Sequence, residues 1–106
     1  MTSHRWWMAS LLVVLLGHPL AALSATHVIL IERMAFHRVQ PSTLAVGDTI
    51  EWGNQDVVPH TATLASGAID ARMAPGEVVR TELTAAGRLE FVCLYHPDMK
   101  IVVEVK

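Results

Sequence analysis

Short runs of alternating apolar and polar residues fill most of this chain, each run ending at a turn signal. Residues 27–33 (His-Val-Ile-Leu-Ile-Glu-Arg) are apolar and β-branched enough for a first strand. Pro41-Ser42 and then Val46-Gly47-Asp48 turn the chain before Thr49-Ile50-Glu51-Trp52. There Ile50 and Trp52 share one face, Glu51 takes the other, and Trp52 is expected in the core. Gly53-Asn54-Gln55-Asp56 reads as a polar loop, and Thr61 to Ala65 resumes extended structure. Ser66 to Gly76 is loose and reads as a long connection. Val79, Thr81 and Leu83 alternate with Val78, Arg80 and Glu82; Leu89, Phe91 and Cys93 alternate with Arg88 and Glu90. In a last strand over 100–106, Ile101, Val103 and Val105 face inward. No helical period appears beyond residue 25, so the pattern predicts an all-β sandwich or barrel.

The first 25 residues follow different rules. His4 and Arg5 precede an apolar run from Trp6 to Leu16, Gly17-His18-Pro19 interrupts it, and small residues follow to Ala25. This is the pattern of a secretory signal. The run falls short of the roughly 20 apolar residues that span a bilayer, so membrane contact is expected only during export. Cleavage after Ser24 puts Ala22 three residues before the cut, where a small side chain is preferred; cleavage after Ala25 puts Leu23 there. Both sites stay open at this stage. Residues 26–106 are enough for one domain and too few for two. The chain carries eight Lys/Arg against ten Asp/Glu with no run of either sign, which leaves no basic surface for nucleic acid.

The chemistry gathers in Cys93-Leu94-Tyr95-His96-Pro97-Asp98-Met99, where a thiol, an imidazole and a thioether recur every three residues. Cys93 is the only cysteine, so it has no partner for an internal disulfide, and metal ligation is a reason to keep a thiol in an oxidising compartment. Its strand register turns it inward with Leu89 and Phe91. His60, in Val58-Pro59-His60-Thr61, can complete the set. Two histidines, one cysteine and one weak methionine are the donors of a blue-copper electron-transfer site. His27 and His37 are expected on strand surfaces. Met73 is expected either to fill a core gap or to join an apolar rim around His96.

The run Cys93-x-x-His96-x-x-Met99, the Pro59-His60 step and Gly47-Asp48-Thr49-Ile50-Glu51-Trp52 resemble the cupredoxins, small blue copper proteins, and most of all their short-loop amicyanin type. The resemblance covers residues 27–106. It implies a Greek-key β-sandwich of about seven to eight strands, one type 1 copper ion held by His60, Cys93, His96 and Met99, and electron carriage. Two positions depart from the family. Thr61 stands where many members carry an asparagine that ties the ligand loops together, and Asp98 stands where the short loop usually has an apolar residue.

The expected function is a periplasmic one-electron carrier that catalyses nothing itself. As a monomer it would dock redox partners transiently on a surface of Pro59, Met73, Tyr95 and Pro97 beside His96. The alternative is a carrier or chaperone that moves copper instead of electrons. A multicopper enzyme is disfavoured, because Val92 and Leu94, not histidines, flank Cys93, and no second histidine cluster exists.

Overall fold

A computed structural model describes residues 23–106. Most of the expected signal, residues 1–22, lies outside the described residues. Eight strands follow in chain order: β1 Thr26–Glu32, β2 Ala35–Arg38, β3 Thr49–Asn54, β4 His60–Leu64, β5 Asp70–Met73, β6 Val78–Glu82, β7 Gly87–Val92 and β8 Lys100–Val105. They form two four-stranded sheets, ordered β2-β1-β3-β6 and β5-β4-β7-β8. The all-β expectation therefore holds, with eight strands and no helix among the described residues.

The pleat explains the core. Ile29 and Ile31 of β1, Ile50 and Trp52 of β3, Phe91 of β7, and Val103 and Val105 of β8 all bury their alternate faces between the sheets. Trp52 sits at the centre, edge-on to Phe36 at 5.8 Å and to Phe91 at 4.9 Å between ring centroids. Its indole N–H donates to Thr81 Oγ1 at 3.0 Å, so its polar atom is not left unpaired. β1 and β3 pair in parallel, Ile29 opposite Trp52, and the connection between them carries edge strand β2. Along that connection Leu44 bridges to Val105 and Gly47 takes φ +95°, the left-handed conformation its turn requires.

Three readings change. The connection from Ser66 to Gly76 contains a strand, β5, which pairs with β4 through His60–Met73, Thr61–Arg72, Ala62–Ala71 and Thr63–Asp70. Gly53 and Asn54 belong to β3 and are buried, so the polar loop begins at Gln55. His27 is buried, not on a strand surface: its ring nitrogens lie 2.9 Å from Ser42 Oγ and 2.8 Å from Asp48 Oδ2. His37 is exposed, as expected.

Candidate metal centre

The second sheet positions the site. β4 and β7 run antiparallel, so the first residue of β4, His60, lies beside Cys93, which directly follows β7. The connection from β7 to β8 then closes on itself through main-chain bonds. His96 N–H donates to Cys93 O (3.3 Å), Met99 N–H to His96 O (2.9 Å) and Cys93 N–H to Met99 O (3.0 Å). One seven-residue loop thus holds three candidate donors on a framework of its own hydrogen bonds.

His60, Cys93 and His96 bring their donor atoms within 4.8 Å of one another. Cys93 Sγ lies 3.8 Å from His60 Nδ1 and 3.7 Å from His96 Nδ1. Metal bonds of about 2.3 Å to thiolate and about 2.0 Å to imidazole, opened to a trigonal angle, separate sulfur from nitrogen by about 3.7 Å; a tetrahedral angle gives about 3.5 Å. The spacing fits a trigonal S-N-N centre. Met99 is buried at the end of the same loop, within the hydrophobic core cluster, and its thioether would be the weakest donor of the set. His60 and Cys93 are fully buried, and His96 is half-buried, which leaves it as the donor nearest solvent.

Neighbouring groups fix these donors. Asp56 Oδ2 lies 2.7 Å from His60 Nε2. A carboxylate only accepts, so Nε2 carries the hydrogen and the Nδ1 lone pair is left facing Cys93. The same carboxylate accepts from Arg33 N–H at 2.8 Å and Met34 N–H at 3.0 Å. Burial opposes its charge, but the bonds from Met34, His60 and Arg33 prevail and hold its carboxyl below the usual range. Asn54, buried in β3, adds a further tie: its amide N–H groups donate to Val58 O (2.9 Å) and Met73 O (3.2 Å), and its Oδ1 accepts from Asp56 N–H (3.0 Å).

Thr61 does join the two ligand segments. Its Oγ1 accepts from Leu94 N–H at 2.9 Å, and its N–H donates to Cys93 Sγ at 3.4 Å. Thr63 Oγ1 lies 3.0 Å from Thr61 Oγ1 and 2.8 Å from Asp70 Oδ1. Each hydroxyl has one hydrogen, and Asp70 can only accept. The chain therefore runs one way, from Leu94 N–H through Thr61 and Thr63 to Asp70. The Thr63 hydroxyl and Arg72 hold the Asp70 carboxyl below its usual range.

Of the four predicted residues, His60, Cys93 and His96 thus meet, and Met99 is tied to Cys93 through its backbone. Met73, by contrast, is fully buried in β5 opposite His60 and belongs to the core, not to a rim around His96. Asp98 is exposed on the loop. Sequence reasoning missed Asp56, Asn54 and the Thr63–Asp70 relay. Only the closeness of Asp56 to His60 in the chain offered any signal.

No family profile matches the chain. Over 67 residues it is 33% identical to amicyanin of Paracoccus denitrificans, an alignment covering 56% of this chain and 51% of that protein, so it spans about half the length of that curated relative. Among solved structures it is similar to the Cu(I) form of a methionine-to-alanine variant of amicyanin, with TM-score 0.66 and 25% identity over 79% of this chain and 85% of that one. It is also similar to an oxidized proline-to-alanine variant of amicyanin, with TM-score 0.63 and 27% identity over 74% and 80% of the two chains. In fold and in the matched part of its sequence, this chain is similar to amicyanin.

Proposed function

We propose that this chain is a periplasmic one-electron carrier that holds one type 1 copper ion through His60, Cys93, His96 and Met99. The observation that carries this reading is the buried Cys93 sulfur with two imidazole nitrogens at 3.7 and 3.8 Å, the spacing of a trigonal centre. The ion, when bound, supplies the Cu(II)/Cu(I) couple. The residues supply the rest. Asp56 holds His60 in one tautomer, Thr61 braces Cys93 and Leu94, and the closed loop keeps His96 and Met99 in place whichever charge the site carries.

His96 is the route outward. Exposed apolar side chains flank it in sequence, with Leu94 48% and Tyr95 51% accessible, while Val57, three residues before His60, is 91% accessible. With Pro59 and Pro97 they offer a small surface for brief docking of redox partners. Met73 is buried and drops out of that surface. The protein then acts as a monomer that passes electrons and performs no catalysis of its own. The N-terminal apolar segment supplies the export signal that brings it to the periplasm.

Addition of Cu(II) to the purified domain tests the reading. An intense blue colour, reversible redox cycling and loss of both in Cys93→Ser are expected. A pale Cu(II) adduct, or binding of Cu(I) alone, would instead support a chaperone that moves the metal.

A further inference from the structure

Far from the metal centre, Asp48 forms a buried cradle. Its Oδ1 accepts from Ala25 N–H at 2.9 Å, and its Oδ2 lies 2.8 Å from His27 Nε2 and 3.0 Å from Ala45 N. The Ala25 N–H, then His27 and Ala45, hold the carboxyl below its usual range against the opposing effect of burial. Ala25 is held on its other side too, because its carbonyl accepts from Thr49 N–H at 2.9 Å. The two described residues before it are accessible: Leu23 is 95% exposed and Ser24 is exposed. Among the described residues, main-chain pairing begins at Ala25, and the peptide bond before it joins two exposed residues.

We propose that the Ser24–Ala25 bond is the processing site of this chain, and that the α-ammonium released on Ala25 becomes the ionic partner of buried Asp48. The inference rests on the export reading above. In the cut, water adds across the peptide bond; Ser24 leaves with the carboxylate and Ala25 keeps the nitrogen, protonated to an ammonium. A neutral N–H···O bond of 2.9 Å then becomes a charge-assisted one at the same place. Two independent features agree on this bond. The small residues Ala22 and Ser24 precede it, as signal cleavage prefers. A cut one residue later would remove both the donor to Asp48 Oδ1 and the acceptor of Thr49 N–H. Leader removal would then add a full positive charge to the cradle, at the oxygen of Asp48 that His27 does not meet.

Intact-mass measurement on the protein secreted by an exporting host gives the first test, and a chain beginning at Ala25 is expected. A chain that keeps its leader and stays in the cytoplasm removes the export reading and the cut with it. An exported chain beginning at any other residue overturns this assignment alone. The second test compares thermal melting of the chain starting at Ala25 with the same chain acetylated on its α-amine, which keeps the N–H and loses the charge. Acetylation is expected to lower Tm by about 4–8 °C, a sizeable shift for a domain this small, and to leave Asp48→Asn unmoved. Equal melting of the two wild-type forms would overturn the ionic pairing.

Discussion

Asp56 serves three donors with two oxygens, and one of the three is the imidazole of His60, a candidate metal donor. Its replacement by asparagine keeps the shape and loses the charge. The amide can present an N–H to His60 Nε2, which favours the hydrogen on Nδ1, the atom that faces Cys93. Asp56→Asn is therefore expected to weaken metal binding and to destabilise the metal-free protein by about 1–3 kcal/mol. Urea unfolding reads the second effect, and nitrogen NMR of the metal-free imidazole reads the tautomer. An unchanged tautomer would refute the positioning role. Thr61→Val tests the relay in the same way, because it leaves Leu94 N–H without its acceptor. A loss of about 1–2 kcal/mol is expected, and Thr61→Ser should recover most of it. The chemistry-bearing residues were legible in the sequence because ligand type and spacing are local facts. Their supports were not. Asp56 and Asn54 look like any polar loop until folding brings β1, β4 and β5 against them.

At the scale of elements, the hairpin joining β1 and β2 is the anomaly. Its two turn residues, Arg33 and Met34, take φ of 53° and 60°, the paired left-handed conformation in which Asn-Gly is usual. Neither residue suits it, and each left-handed non-glycine residue costs on the order of 1 kcal/mol. Asp56 offsets that strain by accepting both turn N–H groups, so the strained turn and the candidate donor His60 share one carboxylate. Replacing Arg33-Met34 by Asn-Gly should stabilise the metal-free protein by about 1 kcal/mol. Chemical denaturation checks it, and a loss of stability would show that the wild-type side chains contribute more than their strain costs. Two strands escaped the sequence reading for a related reason. β2 and β5 have four residues each, too few for alternation to stand out. β5 becomes a strand because β4 pairs with it, and β2 because its turn folds it back on β1.

For the whole molecule, acid stability follows from carboxylates whose folded pKa is lowered. Asp48, Asp56 and Asp70 all lie below their ordinary value, near 3.9 in unfolded chains. A lowered carboxylate adds stability that is fully present above the unfolded value and is lost as pH falls through the folded one. Unfolding free energy should therefore hold from neutral pH to about 5 and fall steeply below about 4. Asp48→Asn should flatten that acid limb; an unaltered limb would mean that the cradle does not carry the effect. Metal binding acts on the same balance. At a free ion concentration a hundred times its Kd, a ligand of the native state adds about 2.7 kcal/mol, so stripping the metal should lower Tm markedly.

By itself the sequence determined the fold class and the candidate donors. Period-two alternation dictates which faces are buried, and the Cys93-to-Met99 spacing places three donors in one turn whatever the remainder does. Six of the eight strands could be read this way, as could Trp52 at the centre of the core. Only the tertiary structure decided the rest. It placed His60 beside Cys93 across two antiparallel strands, drew Met73 into the core, buried His27 against Asp48 and set Asp56 behind His60. These are contacts between residues up to 33 positions apart. Their partners are chosen by which surfaces the packed sheets bring together, and alternation along one strand carries no record of that choice.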